Sequence, residues 1–99
     1  MKTVEEEDQF MEFVCSIYEL WDEFGFSVTS WFRSVKRNAS VGGEDTSKHL
    51  RGLAVDVVPD DIDDESKYQA LKEKAMSKAL IVVDERKTAK PHIHIQTKQ

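Results

Sequence analysis

One acidic residue inside an apolar strand is the feature that most constrains how this chain can fold. The segment 52–58, "GLAVDVV", is short and β-branched, as a strand is, yet it carries Asp56. Successive side chains of a strand point to opposite faces of the sheet, so Ala54 and Asp56 share one face. The side chains on the other face are all apolar: Leu53, Val55 and Val57. The segment therefore predicts a sheet with one face for the core and one polar face.

A second strand, near the C-terminus, has the same alternation. In "HIHIQ", which begins at His92, the two isoleucines share one face, and His92 and His94 share the opposite face. The remaining histidine, His49, lies in the turn before the first strand, where Gly52 allows the chain to double back. If the two strands are neighbours, His49 and one of the other two histidines meet Asp56.

Such a cluster would have the composition of a metal site. Two imidazoles and one carboxylate, with a fourth position left open, are the ligands of a catalytic zinc ion. Taken one at a time, histidines that alternate along a strand and an aspartate in a strand are more often solvated than functional. Their joint occurrence with Ser47, Gly52 and Ala54 favours a zinc site on the polar face.

The remaining segments predict two helices and two further strands. Apolar residues recur at three- and four-residue spacing along 4–24, which indicates an amphipathic helix that ends at Gly25. Cys15 falls at an apolar position of this helix, so we expect a buried, unreactive thiol. The other predicted elements are strand 26–32, loop 34–46, helix 64–78 with Tyr68, Leu71, Ala75 and Met76 on its inner side, strand 79–85, and loop 86–91, which joins that strand to 92–96 as a hairpin.

Length and composition indicate one globular domain over residues 1–99. The net charge of −5 excludes a general affinity for nucleic acid, because phosphate binding requires a basic surface. A single cysteine excludes an intramolecular disulfide, and no apolar stretch is long enough to span a bilayer.

The segment "SKHLRGLAVD", followed by "HIH", resembles the zinc D-Ala-D-Ala carboxypeptidase and L-alanyl-D-glutamate endopeptidase family, whose fold is shared by the hedgehog signalling domain. The family pattern is S-x-H-x-x-G-x-A-x-D with a later H-x-H, and this chain matches each specified position. The segment 30–43, "SWFRSVKRNASVGG", is also similar to the family's strand, arginine and glycine-rich loop. The resemblance covers residues 26–97 and implies an α+β fold in which helices pack on one face of a small antiparallel sheet.

The resemblance also implies roles for individual residues. His49, Asp56 and His94 correspond to the three zinc ligands. Arg33 corresponds to the arginine that holds a substrate carboxylate or carbonyl oxygen, a role that the fixed fork of a guanidinium suits. Ser47 corresponds to a serine near the substrate and the metal.

The chain departs from the family at the residue that handles protons. Most active relatives carry Asp or Glu three residues before the last zinc ligand, and here that position is Pro91, which cannot titrate. Two substitutes are available as general base: a carboxylate at the end of the preceding strand, Glu85 or Asp84, and His92, because imidazole is the side-chain type most often used as a general base. Otherwise Glu85 is a solvated strand end, and His92 is a residue that orients a ligand or water.

We therefore expect a zinc metallopeptidase that cleaves peptidoglycan stem peptides, as a carboxypeptidase or as an endopeptidase, in the manner of a phage or prophage lysis enzyme. The alternative is a binding module of the same fold that keeps zinc but lacks turnover, as Pro91 allows. The N-terminal residues lack the apolar core of a secretion signal. We expect a monomer that is made in the cytoplasm and acts on the cell wall after release, or as part of a phage particle.

Overall fold

The computed structural model describes residues 4–31 and 48–98, which form two helices and a four-stranded sheet. In chain order the elements are α1 (Val4–Phe24), β1 (Phe26–Ser30), a 3-10 helix (Lys48–Arg51), β2 (Ala54–Pro59), α2 (Glu65–Ser77), β3 (Leu80–Glu85) and β4 (His92–Thr97). The predicted loop 34–46 lies outside the described residues. Neither of the two described helices is long and apolar enough to cross a lipid bilayer.

The sheet is antiparallel throughout, with the strand order β1-β2-β4-β3. The two strands that carry the predicted metal ligands, β2 and β4, are therefore central neighbours. Their register places Val55 opposite Ile95 and Asp56 opposite His94. The predicted hairpin of β3 and β4 is confirmed, and it places Glu85 opposite His92.

Both helices pack on the apolar face of this sheet and form one continuous core with it. Phe13, Ile17 and Leu20 contribute from α1, and all three are buried. The side chains from α2 are Tyr68, Leu71 and Ala75, and those from the sheet include Leu53, Val55, Val57, Ile93 and Ile95. The predicted α+β class is confirmed, and the helices leave the polar face of the sheet clear.

The helix ends follow from local chemistry. Beyond Phe24, Gly25 adopts a left-handed φ of 67° and its N–H donates to the carbonyl of Trp21 at 2.9 Å, as a C-terminal glycine does. At the start of α2 the Asp64 carboxylate accepts from the Lys67 N–H at 3.1 Å. That backbone hydrogen bond lowers the pKa of Asp64. The acidic residues of segment 60–65 thus lie at the N-terminus of α2, where carboxylates are favoured.

Two predictions of burial were wrong, those for Cys15 and Met76. Cys15 is exposed because it follows Phe13 by two residues, which turns it about 200° around the helix from the buried stripe. Met76 is 56% exposed because it follows the buried Ala75 by one residue, about 100° away. Strand β1 also ends at Ser30, before the predicted residue 32.

Candidate metal centre

His49, Asp56 and His94 converge on the polar face of the sheet. One nitrogen or oxygen from each side chain lies within 4.8 Å of the others. Asp56 and His94 meet because they are paired across β2 and β4. His49 is added by the 3-10 helix before β2, where Gly52 adopts a left-handed φ of 71° and its N–H donates to the His49 carbonyl at 3.2 Å. The tight turn expected at this glycine is therefore present.

The carboxylate lies between the two imidazoles and turns one oxygen to each. Nδ1 of His94 is 2.9 Å from Oδ1 of Asp56, and Nε2 of His49 is 3.4 Å from Oδ2. The two rings meet edge to face with 5.3 Å between their centroids. His49 is 3% exposed and Asp56 is 9% exposed, so this is a buried polar cluster.

The outward nitrogen of each imidazole bonds to a carbonyl oxygen. Nδ1 of His49 donates to the backbone carbonyl of Trp31 at 2.8 Å, and Nε2 of His94 donates to Oε1 of Gln96 at 2.8 Å. Because a carbonyl oxygen only accepts, these bonds hold a hydrogen on the outward nitrogens. The inward nitrogens, Nε2 of His49 and Nδ1 of His94, both face Asp56; each donates to the carboxylate when it carries a hydrogen and can bind a metal when it does not.

The Trp31 carbonyl is itself held in place. The indole Nε1–H of Trp31 donates to the carbonyl of Gly52 at 2.9 Å. The ring packs edge to face against Phe13 of α1, with 5.8 Å between centroids. A core residue, a tryptophan and a turn glycine thus fix the orientation of His49.

When no metal is bound, the surroundings favour a negative charge on Asp56 and a positive charge on His94. Burial acts to raise the pKa of Asp56, but hydrogen bonds from His49 and His94 outweigh it and hold that pKa well below its ordinary value. Burial acts to lower the pKa of His94, but its hydrogen bonds with Asp56 and Gln96 outweigh it and raise that pKa. The carboxylate is an anion that draws positive charge to this point, whether a proton or a cation supplies it.

The cluster fits a zinc ion. Two imidazole nitrogens and one carboxylate oxygen are a common donor set for zinc, with room for a fourth ligand. Atoms bonded to one tetrahedral zinc at about 2.1 Å lie about 3.4 Å apart. Here Nε2 of His49 and Oδ2 of Asp56 are 3.4 Å apart, and the three ligand atoms all lie within 4.8 Å of one another. Each histidine also makes the outer hydrogen bond to an oxygen that zinc-ligating histidines make.

Glu85 and His92 lie at the rim of the cluster. Nε2 of His92 is 3.4 Å from Oε2 of Glu85 and 3.7 Å from Oδ1 of Asp56. Nδ1 of His92 donates to the carbonyl of Lys90 at 2.7 Å, so in the neutral ring its basic nitrogen is the one that faces the cluster. The structure thus brings Glu85 and His92 to the site, whereas Asp84 is paired with Ile93 and bonded to Arg86. Arg33 and Ser47 lie outside the described residues.

Two participants were missed from the sequence: Gln96 and the Trp31 carbonyl. Gln96 follows His94 by two residues in the same strand, so the alternation that grouped the histidines includes it as well. Nothing in the sequence marks Trp31, because its contribution is a backbone carbonyl.

The chain belongs to the peptidase M15 family, whose model matches residues 2–96. Peptidases of this family are zinc enzymes. The fold is similar to the crystal structure of the Serratia marcescens L-Ala D-Glu endopeptidase ChiX, with a TM-score of 0.59 and 26% sequence identity over 98% of this chain and 89% of that chain. No curated protein matches this sequence. The family resemblance stated from the sequence is confirmed.

Proposed function

We propose that this protein is a zinc-dependent peptidase that cleaves stem peptides of peptidoglycan. The observation that carries the proposal is the convergence of His49, Asp56 and His94, whose facing atoms suit one zinc ion. Membership of the peptidase M15 family supports the reaction class. The similarity to an L-Ala D-Glu endopeptidase supports the substrate class.

His49, through Nε2, and His94, through Nδ1, would hold the ion together with the Asp56 carboxylate. When bound, zinc acts as a Lewis acid toward a carbonyl oxygen and lowers the pKa of water to about 7. The chain's own residues bring the ligands together before binding, because the outer hydrogen bonds to Trp31 and Gln96 already orient both rings. The cluster is thus organised for the ion by contacts within the domain.

Proton transfer falls to Glu85 or His92 in this proposal, because Pro91 cannot titrate. Nε2 of His92 is 3.7 Å from Oδ1 of Asp56 and 3.4 Å from Oε2 of Glu85, so it lies between the cluster and that carboxylate. If His92 is the base, Glu85 stabilises the imidazolium that forms. If Glu85 is the base, His92 holds its carboxylate in position. In either case the pair replaces a carboxylate that relatives carry one residue before His92.

Substitutions separate these two roles. Glu85→Gln should remove turnover if Glu85 is the base, and it should leave a substantial residual rate if it only supports His92. His92→Ala should give the reverse pattern. Zinc content is measured beside the rate for each variant, so that a loss of metal is not mistaken for a loss of the base.

The roles proposed for Arg33 and Ser47 in substrate binding rest on the family resemblance alone. Arg33 would hold a carboxylate or carbonyl oxygen of the substrate through two parallel N–H donors, which a lysine cannot reproduce. Arg33→Lys should therefore raise KM or lower kcat/KM while zinc content is unchanged. Ser47→Ala should have a smaller effect of the same kind.

For the scissile bond we propose L-Ala–D-Glu, the bond named for the similar endopeptidase, with D-Ala–D-Ala as the second candidate. Stem peptides that contain both bonds are incubated with the zinc-loaded protein, and the products are identified by mass spectrometry. Cleavage after L-Ala supports the endopeptidase, and release of D-Ala supports the carboxypeptidase. His94→Ala is the inactive control, and Asp84→Asn, in a neighbouring strand, is the active one.

The binding module is the second candidate function, and Pro91 in place of the usual carboxylate favours it. It predicts one zinc per chain and measurable binding to stem peptides, with no cleavage of either bond. A role in cell lysis, as for a phage or prophage enzyme, extends the peptidase proposal. It predicts that the purified protein clears a suspension of isolated cell walls.

A further inference from the structure

We propose that Gln96 is a positioning residue of the metal centre, whose side-chain carbonyl accepts the Nε2–H of His94 and so presents Nδ1 of that ring to the ion. The inference rests on the zinc site of the proposed function and not on peptidase activity. The contact that carries it is the 2.8 Å hydrogen bond between the two side chains.

The register of the sheet determines that Gln96 reaches His94. Both residues belong to β4 and lie two positions apart, so their side chains rise from the same face. Opposite Gln96 in β2 is Ala54, whose methyl group leaves space beside the glutamine. Opposite it in β3 is Ile81, which flanks the amide on the other side. The glutamine side chain is thus half-buried between a small and an apolar neighbour.

The chemistry of imidazole explains why this contact matters. A ring can bind a metal only through a nitrogen that carries no hydrogen, and a neutral histidine carries its one hydrogen on either nitrogen. Without metal, the Asp56 carboxylate accepts a hydrogen from Nδ1 at 2.9 Å, and an ion held between Nδ1 and Asp56 would take the place of that hydrogen. The acceptor at Nε2 then keeps the remaining hydrogen there, so Gln96 stabilises the form of His94 that binds an ion through Nδ1.

The amide does this without adding charge. A carboxylate at position 96 would also accept from Nε2, but it would place a second anion near Asp56. A neutral acceptor keeps the protein ligands at a single negative charge, so a bound divalent ion retains more of its own charge. His49 has the equivalent arrangement with the Trp31 backbone carbonyl. Of the two contacts, the one from Gln96 can be removed by a side-chain substitution.

The test compares Gln96→Leu, which removes the acceptor at similar size, with Gln96→Glu, which restores it. Gln69→Leu is the matched control, because Gln69 is exposed on α2 and bonds to Glu65 at 2.9 Å, away from the cluster. Zinc affinity is measured by competition with a chromophoric chelator. The tautomer of His94 in the zinc-loaded protein is read from nitrogen-15 NMR of the histidine rings.

We expect Gln96→Leu to weaken zinc binding by about 10–100-fold, the range for outer-shell partners of metal-ligating histidines, in a metal-free protein that still unfolds in one cooperative transition. Gln96→Glu should bind zinc within a few-fold of the native protein, and Gln69→Leu should match it. In the native protein NMR should place the metal at Nδ1 of His94 and hydrogen at Nε2.

Three results would overturn the inference and leave the zinc site in place. The first is native zinc affinity in Gln96→Leu, and the second is a zinc affinity in Gln96→Glu as low as that of Gln96→Leu. The third is zinc bound at Nε2 of His94. A native protein that binds no zinc would overturn the zinc site of the proposed function and this inference together.

Discussion

The two faces of the sheet are built from the same strands, yet different forces hold their side chains in place. On the helix-covered face Val55 and Ile95 are fully buried and fixed by packing. On the opposite face Asp56 and His94, which are adjacent to Val55 and Ile95 in the sequence, are fixed by hydrogen bonds at 2.8 to 2.9 Å. Because side chains alternate, the register that buries one set also brings the other set together.

This contrast shows how so small a domain can contain a buried charged cluster. Apolar burial on one face supplies most of the stability, at about 25 cal/mol per Å2 of area removed from water. Hydrogen-bonded charges add little net stability, because their desolvation offsets their attraction. The polar face can therefore serve metal binding while the apolar face maintains the fold, and substitutions should separate the two.

The largest expected effect is on the apolar face. Ile95→Ala should lower the free energy of unfolding by about 2–5 kcal/mol, because it opens a cavity at the centre of the core. Urea denaturation of the metal-free protein measures the change. Val83→Ala, at a 41% exposed position opposite His94, is the matched control and should cost less than about 1 kcal/mol. Equal losses for the two variants would contradict the division between the faces.

The next effect is confined to the polar face. At a free zinc concentration of 100 times Kd, zinc should raise the free energy of unfolding by about 2.7 kcal/mol. Asp56→Asn keeps the shape of the side chain but removes the anionic ligand, so this stabilisation should vanish. Asp84→Asn is the same substitution at a residue of β3, and the stabilisation by zinc should persist in that variant. Thermal denaturation with and without zinc measures both variants, and an undiminished shift in Asp56→Asn would place the metal elsewhere.

Trp31→Phe tests the connection between the faces, because Trp31 contacts Phe13 in the core and His49 in the cluster. Loss of the indole hydrogen bond to Gly52 should cost about 1 kcal/mol of stability. It should also weaken zinc binding several-fold, since the carbonyl that orients His49 is held less firmly. A loss of stability with native zinc affinity would mean that the indole serves packing alone.

The smallest effect is at the end of β3. Side-chain hydrogen bonds from Arg86 lower the pKa of Asp84 from 3.8 to about 2. A carboxyl with a lowered pKa stabilises the fold above its ordinary pKa, and that contribution is lost as the pH falls through the lowered value. Asp84→Asn should therefore cost less than about 1 kcal/mol at pH 7, and the difference from the native protein should shrink below pH 4. Urea denaturation at pH 7, 4 and 3 checks the trend, and a difference that grows in acid would contradict it.

The sequence predicted the parts of this protein that repeat with a regular period. The helix over 4–24 was predicted from its apolar spacing, and Gly25 marked its C-terminal end. The alternation in β2 and β4 separated core residues from Asp56, His92 and His94 before their pairing was known.

The features that could not be predicted from the sequence depend on which residues meet in the folded protein. The exposure of Cys15 and Met76 depends on which neighbours the helices contact, and both residues fit an apolar pattern. The family resemblance, and not the alternation of residues, indicated His94 instead of His92 as the ligand. In the structure His94 is the histidine that lies directly opposite Asp56 in the neighbouring strand. The Trp31 carbonyl has no side-chain signature and was found only from coordinates.

In the proposed site one zinc ion binds between β2 and β4 through three side chains. The decisive experiment is a crystal structure of the zinc-loaded protein with anomalous scattering recorded at the zinc edge. We expect one anomalous peak, within bonding distance of Nε2 of His49, a carboxylate oxygen of Asp56 and Nδ1 of His94. A peak bonded through His92 in place of His94, or no peak at this cluster, would contradict it.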